Sequence, residues 1–232
     1  MRKNTRRGSL MSASAVVGAI VLAALPGNAV AADSGVPAAS SSPGAYVAWL
    51  EAKSEPTASE TAKQFKALSA DKQEKFLDLI NDVETTKAFL DNVGETQDTR
   101  TVRAAGAQVI VTESESSNPL ARTGTMWAEH SVYDTIFGVR VTKVAVRTNY
   151  HVTGKDTDKI YAGSASHYNY VPVASFSQGV VAEWISAAPA DNAHSEVTWS
   201  AEWTGGLGSW SKRQRVWGDY RGFVGGYLTD RG

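Results

Sequence analysis

The 232-residue chain has no cysteine. That absence excludes a disulfide framework, a thiolate metal site and a cysteine nucleophile, and leaves burial as the main source of stability. The apolar run from Ala13 to Leu25 has 13 residues, short of the ~20 that a membrane-spanning helix needs. Also absent are a His-Glu-x-x-His run, a Gly-x-Ser-x-Gly elbow and a phosphate-binding Gly-rich loop, and with them the common sequence signatures of zinc peptidases, serine hydrolases and nucleotide-binding enzymes. No excess of positive charge is present either, the formal net charge being −1.

What is there begins with an export pattern. Arg2, Lys3, Arg6 and Arg7 precede the apolar run, and Ala29-Val30-Ala31 supplies small residues before a cut. Residues 1–32 are therefore predicted to be a signal peptide, with the mature protein secreted and extracellular. Adjacent Arg6 and Arg7 fit either twin-arginine or general export. Removing the four basic residues leaves 19 Lys and Arg against 24 Asp and Glu, about five net negative charges. Nucleic acid is excluded as a partner on this balance, because its recognition needs a basic footprint.

Residues 33–42, small and polar with proline nearby, read as a flexible leader. Ser42-Pro43 marks a helix start, Thr57 with Glu60 marks a second, and Ser69 precedes a third. In that third helix Phe76, Leu77, Ile80 and Val83 repeat at amphipathic spacing. A last short helix with Phe89, Leu90 and Val93 ends at Gly94. Residues 43–94 are thus predicted to be a small helical bundle. Residues 95–124 turn to Gly, Ser, Thr and charge, and are read as a linker with one short strand at Gln108–Thr112. From residue 125 to 232 short alternating segments follow one another without helical periods. The predicted fold is α+β by segments: a helical bundle followed by an all-β antiparallel sandwich, with a barrel as the alternative. A change of phase at Thr142-Lys143 predicts a bulge.

The segment Ser195–Phe223 carries four of the seven tryptophans. Closing it as a hairpin at Gly205–Gly208 sets Trp203 opposite Trp210 and Trp199 opposite Gln214. Indoles then collect on one face, Glu and Arg on the other. An antiparallel sheet with one packed and one solvated side shows this sorting. Trp217 falls on the charged face. Together with Arg213, Arg215 and Tyr220 it forms the candidate ligand-binding surface, since guanidinium groups stack on aromatic faces.

Catalytic chemistry has little to stand on. His151 and His167 are expected on neighbouring strands, where two imidazoles could bind a metal or exchange protons, but neither has an acidic neighbour in sequence. No catalytic residue, no metal ligand and no cofactor is assigned.

The combination of a basic signal, the segment "FKALSADKQEKFLDLINDVETTKAFLD" and a cysteine-poor strand-rich part resembles secreted actinobacterial proteins of that two-part build. The resemblance implies export and architecture, and it carries no site residues. The expected function is non-enzymatic binding, with cell-wall or carbohydrate surfaces as the partner. The alternative is a membrane-active or antimicrobial protein whose helical segment is a prosegment released by cleavage near Arg100 to Arg103. A secreted hydrolase using His151 or His167 comes third.

Overall fold

A computed structural model describes residues 38–82, 85, 100–104, 107–118, 123–204 and 208–230, with side-chain surroundings described outside 100–108. The expected signal peptide, the leader up to residue 37 and the last expected short helix around Phe89 to Gly94 lie outside the described residues.

Among the described residues a short 3-10 turn at Ala38–Ser40 precedes three α-helices: α1 (Pro43–Glu51), α2 (Pro56–Lys66) and α3 (Ala70–Asn81). Ser42 is extended and its hydroxyl accepts the Ala45 amide at 3.2 Å, with Pro43 in the first turn. This satisfies a helix-end donor while proline occupies a position whose missing N–H costs nothing. α2 begins earlier than its sequence signal: Glu55 takes the cap position and Pro56 the first turn. The Thr57 hydroxyl is instead within 2.5 Å of the Tyr170 hydroxyl. Ser69 holds the cap position of α3 without a side-chain bond. Phe76, Leu77 and Ile80 are buried as their spacing requires. Tyr46, Phe65 and Phe76 meet edge-on or tilted, with ring centroids 5.0 to 5.5 Å apart, so the helices share one aromatic cluster. No described helix is long and apolar enough to cross a membrane.

Among the described residues ten strands follow, all paired antiparallel in two open sheets. One has the order β1 (Arg100–Ala104), β2 (Ala107–Ser117), β3 (Thr123–Ile136), β4 (Val139–Thr153), β5 (Asp156–Asn169). The other has the order β10 (Gly222–Asp230), β9 (Ser209–Asp219), β8 (Ala193–Trp203), β6 (Ala174–Gln178), with β7 (Ala182–Ile185) also paired to β8. Neither closes on itself, so the described strands form no barrel. Contacts run from β3 and β4 of the first sheet to β8, β9 and β10 of the second. Alternate residues Met126, Ala128, His130, Val132, Asp134 and Ile136 of β3 are buried, as are Ala193, Ser195, Val197, Trp199, Ala201 and Trp203 of β8.

The bulge occurs close to its expected place. Asp134 pairs Thr142 and Thr135 pairs Arg140, so Val141 is the extra residue. The segment 95–124 differs from a linker with one strand: it contains β1 and β2, and β3 already begins at Thr123. Its polar composition conceals this because β2 buries Val109 and Val111 while Ser114, Glu115 and Ser116 are exposed; backbone pairing on both edges needs no apolar side chains.

Helices and strands are joined by specific bonds. Tyr46 Oη donates to the Tyr170 carbonyl at 2.8 Å, Thr61 Oγ1 donates to the Arg140 carbonyl at 3.1 Å, and the Arg140 amide donates to Gln64 Oε1 at 3.2 Å. The first of these is fully buried, where an unmet carbonyl or hydroxyl would be costly.

Candidate functional site

The tryptophan hairpin exists, with a corrected register. Ala201 pairs Trp210, Trp199 pairs Lys212 and Val197 pairs Gln214, a slip of two residues from the expected partners. Trp203 N donates to Gly208 O at 3.2 Å, and most of the expected turn, residues 205–207, lies outside the described residues. A two-residue slip leaves every side chain on its own face because the strand period is two. It also sets Glu196 directly opposite Arg215, where opposite charges attract. Trp199 and Trp203 are buried.

Trp217 lies on the other face. There β7, β8, β9 and β10 align Trp184, His194, Trp217 and Gly225 in one row. The rings of Trp184 and His194 are 4.8 Å apart and inclined by 4°; His194 and Trp217 are 5.8 Å apart at 25°. Rings lying flat on the sheet would collide at such spacing, so they stand on edge and face one another. Gly225 makes room at the end of the row: a methyl group there would come within 2.3 Å of the Trp217 ring. Both His194 nitrogens are enclosed without a partner. Burial, followed by the nearby Arg215 charge, lowers the His194 pKa.

Arg215 completes the row. Its guanidinium sits 4.7 Å from the Trp184 ring and 5.4 Å from the Tyr227 ring, and its Nε donates to Glu196 Oε2 at 2.7 Å. Arg213 is half-buried on the same face, its Nε enclosed without a partner. Tyr220 is separate: it lies in the turn between β9 and β10, half-buried against the core with Arg221 5.6 Å from its ring. The structure thus gathers Trp217, Arg213 and Arg215 on one face, leaves Tyr220 in the turn, and adds Trp184 and His194. Because the rings of the row face each other, it presents mostly edges, and Trp217 does not offer an open face on which a sugar could stack.

A concave site lies elsewhere. A cleft of about 290 Å³ opens between the end of α1 and the β5–β6 connection. Trp49, Lys53 and Glu55 form one wall; His167, Tyr168 and Ser175 are on the other. Trp49 is seated on Tyr46 at 5.8 Å, and the Lys53 ammonium lies 4.3 Å from its ring centre. Glu55 Oε2 accepts the Tyr170 hydroxyl at 3.2 Å. Tyr168 is stacked on Tyr170 at 5.0 Å, and burial raises its pKa, so its hydroxyl keeps its proton at neutral pH. His167 meets the buried Trp199 edge-on at 5.4 Å. Asn169 ties the floor down, donating to the Val171 and Ala174 carbonyls at 3.2 and 2.6 Å. Of the six wall residues the sequence singles out His167 alone, and for a pairing with His151; the two walls are more than a hundred residues apart.

His151 and His167 are not brought together. His151 pairs Lys159 while His167 pairs Val144, and His151 Nδ1 is engaged with Asp158 Oδ1 at 2.8 Å. Among the described residues no group of three or more His, Asp or Glu side chains is arranged to hold a metal ion.

Comparison with family models, with curated proteins and with solved structures finds no match for this chain.

Proposed function

We propose that the protein is a secreted, non-enzymatic binding protein with a sandwich of two sheets, and that its ligand is a sugar-sized, polar unit of a cell-wall or polysaccharide surface held in the cleft. The observation that carries this reading is the cleft itself: about 290 Å³ bounded by the Trp49 and Tyr168 rings and by Lys53, Glu55, His167 and Ser175. Ligand sites are concave, with aromatic surface for packing and a few polar groups for orientation. A sugar has both a C–H face and a rim of hydroxyls, and these wall residues offer a partner to each.

The test is retention of the intact protein on insoluble cell-wall and polysaccharide preparations, compared with Tyr168→Ala and His167→Ala proteins whose circular dichroism is unchanged. Retention that falls several-fold in these variants supports the cleft. Equal retention of all three removes it as the binding site.

A second contact face at Trp217, Arg213 and Arg215 is favoured by one observation, the continuous row from Trp184 to Trp217 beside Arg215. Such a row offers ring edges and cations to an extended polymer rather than a pocket to one unit. Under the alternative in which the helical segment is shed from a membrane-active strand domain, the cleft would lose Trp49, Lys53 and Glu55 and with them one whole wall.

A further inference from the structure

We infer that the cleft is selective for a sugar bearing a carboxylate, with the Lys53 ammonium as the group that recognises the charge. This rests on the binding reading above and narrows it to an acidic saccharide of the uronic-acid type.

The position of Lys53 carries the inference. Its ammonium is held 4.3 Å from the centre of the Trp49 ring at the cleft wall, an electrostatic attraction between a cation and the ring's negative face. Lys66 lies on Glu51 at 2.6 Å, Lys143 on Glu129 at 3.7 Å and Lys212 on Asp230 at 3.3 Å; among the described residues Lys63, Lys72, Lys75, Lys155 and Lys159 have no carboxylate partner but are exposed to solvent, whereas Lys53 is half-buried at the cleft. Among the described residues Lys53 has no carboxylate partner. The two acids nearest in sequence are both engaged, Glu51 by the Lys66 ammonium at 2.6 Å and Glu55 by the Tyr170 hydroxyl at 3.2 Å. An ammonium has three donors, and the indole occupies only one side of it. The remaining donors are available to an anion in the cleft.

The surroundings set what else the anion must carry. Opposite Lys53, the Ser175 hydroxyl, which donates weakly to the Glu202 carbonyl at 3.4 Å, keeps its lone pairs for accepting. The Glu55 carboxylate accepts hydroxyl protons and repels a second carboxylate. A ligand with one carboxylate at the Lys53 end and hydroxyls along the rest of its rim matches this set; a bare dicarboxylate does not. The volume suits one or two pyranose rings, and the Tyr168 ring gives their C–H faces a surface.

Calorimetric titration with oligogalacturonate and with a neutral gluco-oligosaccharide of equal length tests the inference. The expected result is binding of oligogalacturonate at least tenfold tighter than the neutral oligomer, a tenfold or greater loss in Lys53→Gln, and recovery of most of that loss in Lys53→Arg. Lys53 is only half-buried and its substitution leaves the aromatic cluster in place, which melting curves check. Added salt weakens binding of the charged oligomer and leaves the neutral one unaffected. Equal affinity for the two oligomers, or an unchanged affinity in Lys53→Gln, overturns the carboxylate inference while leaving saccharide binding intact. Absence of binding to both oligomers, together with no retention on wall or polysaccharide preparations, overturns the inference and the binding reading alike.

Discussion

Gln214 of β9 reaches across to His130 of β3 and engages it twice, its Nε2 donating to the imidazole Nδ1 and to the main-chain carbonyl, each at 3.0 Å. Its Oε1 accepts the Trp199 indole proton at 2.8 Å. One buried amide therefore ties three strands from both sheets, and it fixes which His130 nitrogen carries the proton: Nδ1 accepts, so Nε2 is the protonated one.

Burial holds the His130 pKa down to about 4 from 6.5. Between those values the unfolded chain takes up a proton that the native imidazole does not, so this contribution is complete above pH 6.5 and is lost as the pH falls towards 4. The loss is up to about 3 kcal/mol. Urea unfolding at several pH values should show this slope in the native protein and lack it in His130→Gln. At pH 7, Gln214→Leu is expected to cost about 1–3 kcal/mol by leaving the His130 groups and the Trp199 indole unmet.

Asp134 acts in the opposite direction. It is fully enclosed, its Oδ2 accepts the Thr142 hydroxyl and its Oδ1 has no partner. Burial raises its pKa from 3.8 to about 8, partly offset by the Thr142 bond. The native carboxyl is therefore protonated where the unfolded one is ionised, and its stabilising contribution, present below pH 3.8, is lost as the pH rises through 8. Asp134→Asn, similar in shape and neutral throughout, should be more stable than the native protein at pH 8 and close to it at pH 4. Thermal unfolding at the two pH values checks this; a constant difference across them would contradict it.

Gly225 and Trp217 are coupled by lack of space. With a methyl carbon arriving 2.3 Å from the indole, Gly225→Ala must displace the ring and open the Trp184–His194–Trp217 row. Overpacking of this kind costs about 1–3 kcal/mol. The same change should alter the near-ultraviolet circular dichroism of the tryptophans, whereas Val224→Ala beside it, at an exposed position, should do neither.

How much of this was legible in the sequence follows from period and distance. The faces of β8 and β9 could be assigned from alternation alone, and Trp199 and Trp203 are inside as that alternation requires. Their cross-strand partners could not, because a slip of two residues leaves the alternating pattern unchanged and only the loop decides it. β1 and the polar half of β2 gave no apolar rhythm to detect. Trp184 and His194 reach Trp217 only through strand pairing, and the cleft assembles positions near 50 with positions near 170. Local spacing contains no information about either.

The Tyr46 and Tyr170 groups that latch the helices to the strands are 124 positions apart, and the two cleft walls are parted by a comparable length of chain. A polypeptide made from its amino end would carry Trp49 and Lys53 long before it carried His167 and Ser175. Whatever occupies the cleft would find no purchase on a partial chain and would stabilise the completed molecule alone, by mass action. Occupancy would then double as a readout of finished folding, with thermal denaturation shifted upwards by ligand in full-length protein and unmoved in any version truncated before α2.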